Sequence, residues 1–156
     1  MTAPLRTLRQ IVRQRRDRRL RRVVQQSGTS CGVACVAMLA GLGFHDAMRL
    51  GHEVFGKDEW EGSHRTHAAD LRDMMEPIGL QLGRKVQCRT WRRVPPGALV
   101  AVQRKLRNGI EEWHWVVSAV DDEGLFFFDP RRSVKAEKRR DFIRVRPSWY
   151  HRVRHI

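Results

Sequence analysis

Cys31 has the surroundings of a nucleophile. It follows Ser27, Gly28, Thr29 and Ser30, which are turn and N-cap residues. It precedes Val33 to Leu39, which are small or apolar on every face. This pattern predicts a loop running into a helix that is buried all round and ended by Gly41 and Gly43. A thiol in the first turn of such a helix meets free N–H groups and the positive end of the helix dipole. Both favour the thiolate, the reactive form.

A nucleophile needs a base, and the base needs an orienter. The stretch from Glu112 to Pro130 reads as a β-hairpin. His114 opens its first strand, Asp121 to Gly124 turn the chain, and the second strand ends at Asp129-Pro130. Antiparallel pairing sets the start of one strand beside the end of the other, so His114 and Asp129 should be neighbours. His114 would take the thiol proton and later protonate the leaving amine. With an upstream Gln to donate to an oxyanion, these residues make the constellation of a thiol hydrolase. Gly32 leaves room for a substrate backbone beside the nucleophile, and Trp115 is the other expected substrate contact. Each residue also has a plainer reading: Cys31 as a buried thiol, His114 as a strand histidine between Trp113 and Trp115, Asp129 as a turn former.

The two stretches resemble the peptidase domain of bacteriocin-exporting ABC transporters, the double-glycine leader peptidases, a family of papain-like cysteine peptidases. The resemblance rests on Gln25, Cys31, Gly32 and Ala34 in the first stretch and on His114, Asp129 and Pro130 in the second. It covers roughly residues 23–147. Ser30 stands where the family often has Asp, and the transmembrane and ATPase parts are absent from this sequence. The resemblance implies a papain-like fold, a Cys31-His114-Asp129 triad and Gln25 as oxyanion donor. Gln26 is the competitor if the register slips by one, and the Cys31 N–H is the second donor. It further implies cleavage after a Gly-Gly-type pair in a leader peptide, with an exporter as partner.

A zinc site is the rival use of the same residue types, through Cys31, Cys35, Cys88 and His114. One CxxxC without a second paired spacing does not support it, and no metal or cofactor is expected. Cys35 should face the core one turn after Cys31, while Cys88 sits in a polar, basic stretch.

With 156 residues, 41% of them hydrophobic, the chain can bury one real core. It has no apolar run of about 18 residues and no secretory h-region, so no transmembrane segment is expected. An odd number of cysteines without a signal points to the reducing cytoplasm. The net charge is +14. Residues 1–22 hold nine Arg and a single acid, Asp17. They form a basic arm ahead of a peptidase domain at 23–156. Its apolar residues Leu5, Leu8, Ile11, Val12 and Leu20 follow a helical period only as far as Val12, and repulsion among the arginines predicts fraying beyond. Such an arm implies an anionic partner, either nucleic acid or a membrane surface, unless it is simply a solvated terminus. A second function class follows: a non-catalytic binding protein that uses the arm on a papain-like scaffold.

The elements read helices first, then an antiparallel sheet, which is α+β. Helices are expected at 33–39, 44–55 and 68–77, the last capped by Ser63 or Thr66. Residues 56–66 read as a loop that either leaves the cleft open or covers it. Strands are expected at 80–86, 98–103 and 113–129, with Lys105 to Gly109 as a basic loop and Phe142, Ile143 and Val145 in a last strand.

Overall fold

The computed structural model of the protein describes residues 4–56 and 64–156. Most of the loop expected at 56–66 therefore lies outside the described residues. Helix α1 (Leu5–Arg15) buries Leu8 and Val12, one turn apart, in the main core. The basic segment is thus anchored, because burying an apolar stripe outweighs repulsion among guanidiniums that point into water. Beyond Arg15 the chain leaves the helix. It is tied down again at Arg22, which donates to the carbonyls of Asp129, Arg131 and Val134 at 2.7, 2.8 and 2.7 Å.

Helix α2 (Cys31–Ala40) is buried at every position after Cys31, as its lack of a polar face requires. Gly41 ends it with a left-handed φ of 72°. Helices α3 (Phe44–Phe55) and α4 (Ala68–Met75) complete the helical layer. The cap of α4 differs from expectation. The Asp70 carboxylate accepts the His67 N–H at 2.8 Å, while Thr66 Oγ1 is buried without a partner and Ser63 is not among the described residues. An ionised acceptor in the first turn is the stronger cap.

Seven strands follow: β1 (Leu80–Leu82), β2 (Val86–Gln87), β3 (Leu99–Arg107), β4 (Ile110–Asp121), β5 (Gly124–Phe128), β6 (Pro147–His151) and β7 (Val153–His155). Five make an antiparallel sheet in the order β2-β6-β3-β4-β5, and β1 pairs with β7 alone. The architecture is α+β, with the helices preceding the sheet. Leu99, Ala101, Trp115 and Val117 join the helices in the main core. Val100, Val102 and Val116 alternate with them and pack with Trp91, Phe127 and Val145 in a second cluster. Burial on both faces explains the unbroken apolar runs.

Three expected elements need correction. The strand expected at 80–86 is broken at Gly83–Lys85, so its ends serve two sheets. Lys105 to Arg107 are strand, not loop. Asn108 and Gly109 have φ of 52° and 78° and form a two-residue turn that keeps Arg107 opposite Ile110. Phe142 to Val145 form a turn closed on the Asp141 carbonyl, and the last strands are β6 and β7. No described helix is by itself long and apolar enough to cross a membrane.

Candidate active site

The turn before α2 closes on itself. Ser30 Oγ accepts the Ser27 N–H at 3.0 Å, and the Ser30 N–H bonds the Ser27 carbonyl. Cys31 is thereby delivered as the first residue of α2. It is half-buried, whereas Cys35 behind it is fully buried.

His114 does not open its strand as expected but lies inside β4, opposite Val102. The β4–β5 pairing ends at Val117↔Phe128. Carried on by one residue, that register sets Asp129 across from Val116, two positions from His114 on the same face. This diagonal is within reach of an imidazole. His114 Nε2 donates to Asp129 Oδ1 at 2.7 Å. Cys31 lies beside the same ring, close enough to raise its pKa. Because β5 stops short, the β4 edge at Trp115 is open, and the Trp115 N–H faces the Cys31 sulfur and favours the charged form.

These contacts set the charge states. Burial pushes the Cys31 thiol up, but the hydrogen bond and charge of His114, with the N–H groups of Trp115 and Gly32, bring it below its ordinary value. Burial pulls His114 down, and its bonds to Asp129 and Cys31 more than restore it, so it lies above its ordinary value. Asp129 is 1% exposed. Burial raises its pKa, yet His114, the Arg131 N–H and Arg139 hold it at about 2. Cys35 is pushed well up by burial, and by Cys31 and Asp129. A thiol whose pKa is lowered, beside an imidazole whose pKa is raised and a buried carboxylate, is a set of groups able to attack a carbonyl carbon and return a proton to the leaving group.

Arg139 was not foreseen. Its Nη1 donates to Asp129 Oδ2 at 2.7 Å, and its Nε and Nη2 grip Asp141 at 3.0 and 2.6 Å. The available signal was faint: an Arg two residues before an Asp, in a tail already full of arginines.

Gln25 is 5% exposed, and its N–H bonds the Pro130 carbonyl at 2.8 Å, which ties it to the end of β5. Its Nε2 donates one hydrogen to the Ser27 carbonyl at 2.8 Å. Gln26 is exposed, so Gln25 occupies the buried position.

Gly32 and Trp115 differ from expectation. A Cβ on Gly32 would lie 1.9 Å from Thr66 Oγ1, so its missing side chain admits Thr66 and not a substrate. The Trp115 ring is 1% exposed and donates Nε1–H to the Thr66 carbonyl at 3.0 Å. The Trp115 main-chain N–H acts on Cys31. The neighbouring Trp113 is only half-buried and stands 5.3 Å from the His67 ring. Together they wall a cleft of about 330 Å³ over Cys31 and His114, with Arg65, Glu112 and Arg131 at its rim. Cys88 belongs to the second cluster, on the other face of the sheet.

No protein-family model matches the chain, and no curated protein matches it.

Proposed function

We propose that the protein is a papain-like cysteine peptidase, its helical half and sheet half meeting at the cleft that holds Cys31. The observation that carries this reading is the placement of Cys31, at the N-terminus of a buried helix, beside a His114 that donates to Asp129 at 2.7 Å. Cys31 Sγ attacks the scissile carbonyl carbon while His114 holds the proton. The resulting oxyanion is received by the Cys31 N–H, which has no acceptor among the described residues, and by the second amide hydrogen of Gln25. Collapse breaks the C–N bond, His114 gives its proton to the amine, and a Cys31 thioester remains. Water, deprotonated by His114, then releases the acid and restores the thiol.

The substrate is a peptide or protein. The wall of Trp113 and His67 favours small side chains at the scissile bond, in keeping with a Gly-Gly-type leader delivered to an exporter. All three cysteines are free, which suits a reducing compartment such as the cytoplasm.

The test is labelling of the purified protein with a thiol-reactive probe at neutral pH, with the site located by mass spectrometry. Fast labelling confined to Cys31, slowed in His114→Ala and absent in Cys31→Ala, is expected. Cleavage of a Gly-Gly-containing peptide should be lost in both variants. Equal, slow labelling of Cys31, Cys35 and Cys88 would overturn the reading.

A further inference from the structure

A second concavity lies at the other end of α2, about 15 Å from Cys31 at the helical rise per residue. At about 610 Å³ it exceeds the cleft over Cys31. Its floor is the last turn of α2, and its walls are six arginines between positions 15 and 22, with His155 at the rim and no Asp or Glu. Three of the six are already engaged. Arg15 donates to the Gly41 carbonyl, Arg22 holds the carbonyls after β5, and Arg16 lies 3.7 Å from Asp17. Arg18, Arg19 and Arg21 are exposed, and their guanidiniums have no hydrogen-bond or ion-pair partner among the described residues.

We propose that this cleft binds an oligophosphate group, a run of adjacent phosphoryls such as tripolyphosphate or the tail of a nucleoside triphosphate. Guanidinium forks match phosphate oxygens in pairs. Six guanidiniums crowded around one concavity outweigh the partial negative charge of the α2 C-terminus at its floor and call for a compact polyanion. A peptide segment of the same size carries less charge, because backbone separates its carboxylates. A membrane or a duplex would meet an exposed face and not enter a cleft of small-molecule size. No Phe, Tyr or Trp lines the walls, so the phosphates and not a base dominate what the cleft can read. The site shares no lining residue with the cleft over Cys31 and does not depend on the peptidase reading.

Titration calorimetry of the full chain with tripolyphosphate, ATP and GTP, against sulfate at matched ionic strength, tests this. The three polyphosphates should bind one to one, within about three-fold of each other, because the phosphates supply most of the contacts. The variant Arg18→Gln/Arg19→Gln/Arg21→Gln should bind at least about ten-fold more weakly, through loss of charge-assisted contacts. Arg89→Gln/Arg92→Gln/Arg93→Gln removes the same charge from exposed positions elsewhere and should change affinity by about two-fold or less. Cys31→Ala should bind as the wild type does. No saturable binding, or equal weakening in both triple variants, would overturn the proposal. So would a single-stranded oligonucleotide or phosphatidylserine vesicles binding through Arg18, Arg19 and Arg21 when tripolyphosphate does not.

Discussion

Arg139 grips Asp129 on the side away from His114: its Nη1 donates to Oδ2 at 2.7 Å, while Oδ1 receives His114 Nε2 at 2.7 Å. A buried carboxylate needs both oxygens filled. Arg139→Gln should therefore lower the free energy of unfolding by about 1.5–3 kcal/mol, the scale of a hydrogen bond to a buried charge. Arg139→Lys should lose less, since an ammonium can still reach Oδ2 but cannot fork onto Asp141. Urea titration at neutral pH reads the difference.

Asp129 also gives the fold an acid limit. Its pKa is about 2 when folded against 3.8 as a free side chain. A depressed carboxylate stabilises the native state above the unfolded value, and that contribution disappears as pH falls through the folded one. The shift corresponds to roughly 2 kcal/mol, present above about pH 4 and lost toward pH 2. Urea midpoints measured across that interval should fall more steeply for the wild type than for Asp129→Asn.

The thiol predicts a second pH dependence. Cys31 lies below its ordinary 9.0 because His114 and two N–H groups outweigh burial. Alkylation of Cys31 should reach half its maximal rate below pH 9. In His114→Ala the two His114 contributions vanish while burial persists, so the midpoint should move up. An unchanged midpoint would mean that His114 does not activate the thiol.

Gly32 and Thr66 should be thermodynamically coupled. Gly32→Ala drives a Cβ into Thr66 Oγ1 and should cost about 1–3 kcal/mol, as overpacking does. Thr66→Ala removes that oxygen, which has no partner to lose, and should cost little alone. In the double variant part of the loss should return, giving a coupling of about 0.5–3 kcal/mol in a double-mutant cycle.

Much of the site was legible in the sequence because its information is local. Ser27 to Leu39 spells a turn and an all-apolar helix, and Asp121 to Gly124 spells a hairpin, so Cys31, His114 and Asp129 could be proposed together. What was missed depends on contacts distant in sequence. Gly32 looked open because Thr66, which fills the space, comes 34 positions later. Trp115 looked like a substrate contact because sequence does not say which of Trp113 and Trp115 the core takes. Arg139 was one arginine among many. Asn108-Gly109 was different: the dipeptide is itself a hairpin signal, and the charge of Lys105 and Arg107 obscured it.

Among the described residues the β3–β4 ribbon past Val102 has no third strand beside it, and Leu106 and Ile110 near its tip are 66% and 64% exposed. Its β4 side, from Ile110 to Trp113, forms part of one wall of the cleft over Cys31, tied across by Arg65 and Glu112 at 3.4 Å. That wall is therefore the soft part of a stiff frame. Amide hydrogens from Arg104 to Glu112 should exchange by local opening, long before those of Leu99 to Val102, which wait for global unfolding. Opening there costs a few ladder bonds and leaves undisturbed the buried helix that carries the sulfur.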